Sequence, residues 1–398
     1  MPYQLPMRGK AHSALLSLVL IALSGLSASS YAQSSVTLYG VLDTSLGYVT
    51  NAGGTSAAHR IGFVNSNIQS SGFGLKGKED LGAGLSAIFN LRNVVVPSTG
   101  ALAEKDTLFS LESWVGLASN QYGTLTLGRQ YDPITDLLEP LTADIDFGAP
   151  FSTAGNVDNY DALLHISNSI KYASPNIGGF TFEGMASLGG VAGSVSAGSV
   201  YAAALSYAGG GLSLAAGYMV NRVDNQVVLN NGIASVTSTT SADGLAYDNP
   251  IVQFANIRSN EIARVGGNYA FGSLIVGAAY SNSRFHQFAS DATLTFNSGS
   301  AFVHYATAVQ LDLAAGYSFT RATGGGAAAN YNQLSLGADY FLSKRTDLYL
   351  AAAFQRANGN TLSDAGALVP ATASVGDEGF YGTGRTQFLS VLGMRHRF

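Results

Sequence analysis

Between Arg129 and Lys171 lie forty-one residues without a single Lys or Arg, yet with Asp132, Asp136, Glu139, Asp144, Asp146, Asp158 and Asp161. Carboxylates in that number, bracketed by two cations, could do two kinds of chemistry. Held across a watery gap from fixed cations, they would sort ions by charge. Set beside a histidine, they would orient a general base. His165, close to Asp158 and Asp161, is the best-placed base. Beyond the first thirty-two residues, however, the histidines are only His59, His165, His286, His304 and His396, and none lies in a recognisable hydrolase motif. The electrostatic use is the stronger reading. A catalytic barrel, and an adhesin whose lumen is shut, stand as alternatives.

What must position these carboxylates is a connection far longer than the two to five residues of an ordinary hairpin loop. Pro133, Pro140 and Pro150 break it. Ile134, Leu137, Leu138, Leu141, Ile145, Phe147, Phe151, Leu163 and Leu164 give it apolar content that disordered segments lack, so it must pack against something. The expectation is that it folds into the lumen of a large β-barrel and narrows it.

Composition supports a barrel in a membrane. Only 11% of the 398 residues are charged, against about 25% in soluble proteins. Beyond the N-terminus no apolar run approaches the length of a spanning helix. Apolar residues spread by alternation and charge this scarce are the pattern of a transmembrane β-barrel. Arg8 and Lys10, the apolar run Ala14 to Leu26 and the small-x-small site Ser30-Tyr31-Ala32 form a secretory signal at residues 1–32, with the barrel at 33–398. Its removal would shift the net charge from −5 to −7. Without cysteine there can be no disulfide, thiolate zinc site or Cys nucleophile. No motif calls for a cofactor, a metal or nucleic acid.

Period-two patterning runs along the chain. Val36, Leu38, Gly40 and Leu42 alternate with Thr37, Tyr39, Val41 and Asp43, and Phe73 and Leu75 oppose Lys76 and Lys78. Gly72-Phe73-Gly74-Leu75-Lys76-Gly77 also spells G-x-G-x-x-G, but a strand runs through it and a turn follows, whereas a dinucleotide site needs a helix there. Arg129 shares parity with Leu125 and Leu127, which leaves its direction at the strand end open.

About sixteen strands result, joined alternately by short turns and by longer connections near 51–58, 97–107, 132–166, 190–199, 222–259, 286–297, 321–330 and 358–384. Backbone groups find no water in hydrocarbon, so such a sheet must close. Sixteen strands enclose an aqueous lumen. Tyr172, Tyr207, Tyr269, Tyr280, Tyr317 and Tyr340 are expected to form aromatic girdles. In the last strand Leu392, Met394, His396 and Phe398 face outward, Arg395 and Arg397 face the lumen, and the terminal aromatic Phe398 is an expected assembly signal.

Ser35-Val36-Thr37-Leu38-Tyr39-Gly40, Gly77-Lys78-Glu79-Asp80-Leu81-Gly82, Trp114-Val115-Gly116-Leu117, Gly128-Arg129-Gln130-Tyr131, Leu336-Gly337-Ala338-Asp339-Tyr340, Ser343-Lys344-Arg345-Thr346 and Arg395-His396-Arg397-Phe398 together resemble the Gram-negative general porins of betaproteobacterial type. The resemblance covers essentially the whole chain after residue 32. It implies a homotrimer of sixteen-stranded antiparallel barrels in the cell outer membrane, in contact with lipid and lipopolysaccharide. The third extracellular loop would fold inward, leaving a passive channel for ions and small hydrophilic solutes. It further implies a basic wall of Arg92, Arg129 and Lys171 facing loop residues Asp132, Asp136, Asp144 and Asp146, with Lys76, Arg395 and Arg397 as further lumen candidates. Many members are anion-selective. Here Lys171 stands where Arg is common and the loop is strongly acidic, so the sign of selectivity stays open.

Overall fold

The computed structural model describes residues 35–53, 58–104, 106–190, 192–222, 257–287, 292–307, 310–362, 367–376 and 382–398. The expected signal at 1–32, most of the 222–259 connection and parts of five others lie outside the described residues.

Alternation becomes a closed antiparallel sheet. Its strands are β1 (Ser35–Val49), β2 (Arg60–Asn65, resuming at Gly72–Gly82), β3 (Leu85–Arg92), β4 (Glu112–Ser119), β5 (Gly123–Tyr131), β6 (His165–Ala173), β7 (Phe180–Ser187) and β8 (Val200–Gly209). They continue as β9 (Leu212–Arg222), β10 (Ile257–Phe271), β11 (Leu274–Gln287), β12 (Thr293–Ala306), β13 (Leu311–Gly324), β14 (Ala327–Phe341), β15 (Thr346–Leu362) and β16 (Thr386–Arg397). Each pairs with its chain neighbours. β1 closes the ring by pairing β16 on one edge, Val41 opposite Arg397 through Val49 opposite Leu389, and both segments of β2 on the other. With no free edge in the ring, the sheet can sit in lipid. At the seam, the backbones of Gly40 and Phe398 exchange two hydrogen bonds of 2.9 and 3.0 Å.

The two faces have opposite chemistry. Leu334, Leu336, Leu348, Leu350, Phe354, Leu392 and Met394 point outward and are exposed, while Gln333, Ser335, Asp339, Asp347, Gln355, Gln387 and Arg395 on the other parity are buried. An apolar surface this continuous far exceeds the few hundred Å² tolerated on a soluble monomer, so its solvent is lipid. All six expected girdle tyrosines lie on the outward parity. Tyr172, Tyr207, Tyr269 and Tyr340 stand near the short-turn rim, whereas Tyr280 and Tyr317 sit midway along strands of fourteen residues.

Those strands are longer than the pattern suggested. The expected long connection at 321–330 is instead the two-residue turn Gly325-Gly326, because β13 runs to Gly324 and β14 begins at Ala327. Small residues that read as loop, Ala322, Ala327 and Ala329, prove to be buried members of the interior cluster. Both turn glycines have positive φ, 58° and 87°, the combination that two-residue hairpins require.

Candidate functional site

The acidic connection is seated before it does anything else. Asp132 caps helix α1 (Pro133–Leu138): its Oδ1 accepts the N–H groups of Ile134 and Thr135 at 2.8 and 3.2 Å, and its Oδ2 accepts Thr135 Oγ1 at 2.8 Å and Asn159 Nδ2 at 3.2 Å. Proline at the first helical position suits a group with no N–H to place. Ile134 and Leu138 then enter an apolar cluster with Met185, Ala202, Ala204, Ala215 and Met219 of the inward parity on β7 to β9.

Three wall glycines make hollows for the connection. A Cβ on Gly217 would come 2.8 Å from Ile134 Cγ1, one on Gly316 would come 3.0 Å from Phe151, and one on Gly337 would collide with the Phe147 ring. Polar ties follow the same face. Arg264 Nη1 donates to Asn159 O at 3.0 Å, Ser281 Oγ to Asp158 Oδ2 at 2.5 Å, and Gln333 Nε2 to the carbonyls of Pro150 and Ser152 at 3.0 and 2.9 Å. Every wall partner named belongs to the parity opposite the apolar belt. The connection therefore lies against the barrel's inner face.

Across from it, Gln69 and Ile68, in the break of β2, donate their backbone N–H groups to Asp43 Oδ2 at 2.9 and 2.7 Å. Between this break, the seam and the connection runs a cavity of about 500 Å³. Arg92, Arg395 and Arg397 line its wall side; Asp136, Glu139, Asp146 and Asp161 line the side of the connection.

The wall cations are unequal. Arg395 Nε contacts both oxygens of Asp347 at 3.1 and 3.2 Å, and its Nη2 reaches Asp339 Oδ2 at 3.3 Å. Arg397 Nη1 also meets Asp347, at 3.0 Å. Arg92 donates to a neutral group, the Ser70 carbonyl, at 3.1 Å. On the other side, Asp136 is ion-paired to Lys171, whose Nζ also donates to Tyr131 O at 2.9 Å. Burial still holds the Asp136 carboxyl above its ordinary value against the pull of Lys171. Asp146, in the short helix α2 (Asp144–Phe147), meets His304 Nδ1 of β12 at 3.2 Å, and His304 Nε2 meets Asp312 of β13 at 3.3 Å. The Glu139 carboxylate accepts no hydrogen bond from the described residues, and burial pushes it up to about 7.

Five residues anticipated from sequence thus meet at one cavity: Arg92, Arg395, Arg397, Asp136 and Asp146. Lys171 is not on the lining itself but bonds two residues that are, Asp136 and Tyr131. Arg129 lies elsewhere. The register slips between Gly128 and Gln130, where β6 carries Asn168 at φ 54°, and Arg129 is held by Ser110 O at 2.5 Å, Ser167 Oγ at 2.9 Å and His165 O at 3.2 Å. Asp132 is a helix cap and Asp144 is buried at the start of α2, neither on the lining. Lys76 Nζ stands 5.0 Å over the Tyr39 ring. His165 is buried with its ring 4.6 Å from that of Tyr131, a lining residue, but is not itself on the lining. Glu139 and Asp161 were present in the acidic run but not singled out. Asp339, Asp347, His304 and Asp312 carried no signal beyond falling on the inward parity.

A closed barrel with an apolar exterior and an opposed charge pair set inside it matches one family. Residues 17–360 match the Gram-negative porins. This chain belongs to that family. The porin is 33% identical over 174 residues to an outer membrane porin protein of Bordetella pertussis, a stretch covering 40% of this chain and 44% of that relative, so the match spans less than half the relative's length. In three dimensions it resembles an anion-selective porin from Comamonas acidovorans with TM-score 0.71 and 23% identity, over 92% of this chain and all of that one. It also resembles the trimer form of OmpT, an outer membrane protein of Vibrio cholerae, with TM-score 0.62 and 17% identity over 92% of this chain and 99% of that one. Family and fold place the porin in the outer membrane as a sixteen-stranded barrel.

Proposed function

We propose that this porin is a water-filled channel through which ions and small hydrophilic solutes diffuse passively, and that the connection after β5 forms its constriction. The observation that carries this reading is the cavity of about 500 Å³ bounded by Arg92, Arg395 and Arg397 on one side and by Asp136, Glu139, Asp146 and Asp161 on the other. Opposed fixed charges across a narrow wet gap favour solutes that can exchange hydration water for those groups and slow apolar ones. Within that constriction Arg92, Arg395 and Arg397 act as the basic wall, Asp136 and Asp146 as loop carboxylates, and Lys171, Arg129, Asp132 and Asp144 hold the loop and its neighbours in place. Lys76 lines the wider lumen.

The working unit in this reading is a homotrimer exported through a cleaved signal at residues 1–32, with Phe398 as the mark read during assembly and the apolar belt in contact with lipid and lipopolysaccharide. The trimer form of a structurally similar protein supports the first point. Refolded protein in planar bilayers should give ohmic conductance that closes in three equal steps, and liposomes carrying it should swell in small sugars. A barrel that inserts without conducting would reject the proposal.

A further inference from the structure

Resting on that reading, we propose that the passage prefers cations and that Glu139 sets how strongly it does so. The argument is one of charge placed in space. Among the described groups lining the passage and the ion partners named above, the cations are Arg92, Arg395, Arg397, Lys171 and, when protonated, His304. The carboxylates are Asp136, Glu139, Asp146 and Asp161 with Asp312, Asp339 and Asp347 behind them. Within this described set, carboxylates outnumber cations by two even with the imidazole charged.

Geometry sharpens the imbalance. Arg395 and Arg397 lie against Asp339 and Asp347, so most of their field ends on the wall itself. Of the three arginines that line the passage, Arg92 hydrogen-bonds a neutral group, the Ser70 carbonyl. Opposite it, Glu139 opens the turn that follows α1 and lines the passage, and its carboxylate accepts no hydrogen bond from the described residues. The charged groups facing Glu139 are Arg264 on β10 and Arg92 on β3, which favour its ionised form, and Asp136 and Asp132 on its own segment, which oppose it. Its charge is thus available to a passing ion rather than consumed by a contact. Burial outweighs the two arginines and lifts its carboxyl to about 7, so the charge is absent in mild acid and present above neutrality. The preference for cations grows as pH rises.

One unit charge a few Å from an ion in water changes local occupancy by roughly two- to fivefold after screening. The test is the reversal potential in a tenfold KCl gradient across a planar bilayer, at pH 5.5 and pH 8.5, for wild type, Glu139→Gln, Glu139→Asp and His304→Gln. The expected result is a cation-signed potential at pH 8.5, with a K⁺-to-Cl⁻ permeability ratio two- to fivefold lower at pH 5.5. Glu139→Gln should hold the ratio at its acid value, while Glu139→Asp and His304→Gln keep the pH response. An anion-signed potential at pH 8.5, a ratio indifferent to pH in wild type, or a Glu139→Gln channel that still responds as wild type does would overturn the inference while leaving the channel reading intact. Bilayers without conductance would overturn both.

Discussion

Asp146 Oδ2 in the inward connection lies 3.2 Å from His304 Nδ1 on the barrel wall, and the far side of the same imidazole meets Asp312 at 3.3 Å. One ring thereby fastens the α2 end of the connection to the barrel. Asp146 is 45% exposed at its side chain, which limits such a contact to about 1 kcal/mol or less. Replacing His304 by Gln should leave heat stability almost unchanged and instead raise open-channel current noise. An unaltered noise spectrum would show that Phe147 and Phe151 suffice to hold this end.

Those two rings are the stronger anchors. Phe147 is fully buried, its ring seated over Gly337 and 5.3 Å from that of Phe151. Phe147→Ala should cost about 3–5 kcal/mol of docking energy. Because the barrel itself does not depend on this contact, the protein should still fold, with single-channel conductance increased and more variable. Gly337→Val, which fills the hollow from the wall side, should give the same electrical result.

The seam holds a buried charge cluster. Arg395 is only 4% exposed and serves both Asp339 and Asp347. Arg395→Ala would strand two carboxylates without their main cation, a loss of about 3–5 kcal/mol. The expected reading is a lower unfolding temperature in circular dichroism. Arg395→Lys should recover only part of it, since an ammonium cannot match the fork that spans two carboxylates.

Arg92 and Arg129 should part company. Arg92 lines the passage beside a neutral carbonyl, so Arg92→Ala should shift the reversal potential toward cations by roughly a two- to fivefold change in permeability ratio. Arg129 points at Ser110, Ser167 and His165 behind the strand end, so Arg129→Ala should leave that potential within error and act instead on stability. Equal shifts in the two variants would contradict the placement of both.

Asp132 and Asp136, four residues apart, should also behave differently. Asp132→Ala removes a helix cap and should weaken the seating of α1 by about 1 kcal/mol, visible as faster proteolysis of the connection. Asp136→Asn should instead free Lys171 and move the reversal potential toward anions.

The amino-acid sequence by itself determined the barrel. Alternation needs only neighbouring residues: Leu392, Met394 and His396 against Val391, Gly393 and Arg395 tell which face meets lipid, because successive strand side chains point to opposite sides. Scarce charge named the solvent, and Arg92, Arg395 and Arg397 fell on the lumen side by parity alone. No such rule governs a connection without a period. Which carboxylates of the acidic run became a cap, as Asp132 did, which were buried, as Asp144 was, and which reached the passage, as Asp136, Glu139, Asp146 and Asp161 did, was decided only when Ile134, Phe147 and Phe151 settled over Gly217, Gly337 and Gly316. Those contacts join residues more than eighty positions apart. The direction of Arg129 was decided likewise by a slip between β5 and β6, which no single strand can encode because register belongs to the pair.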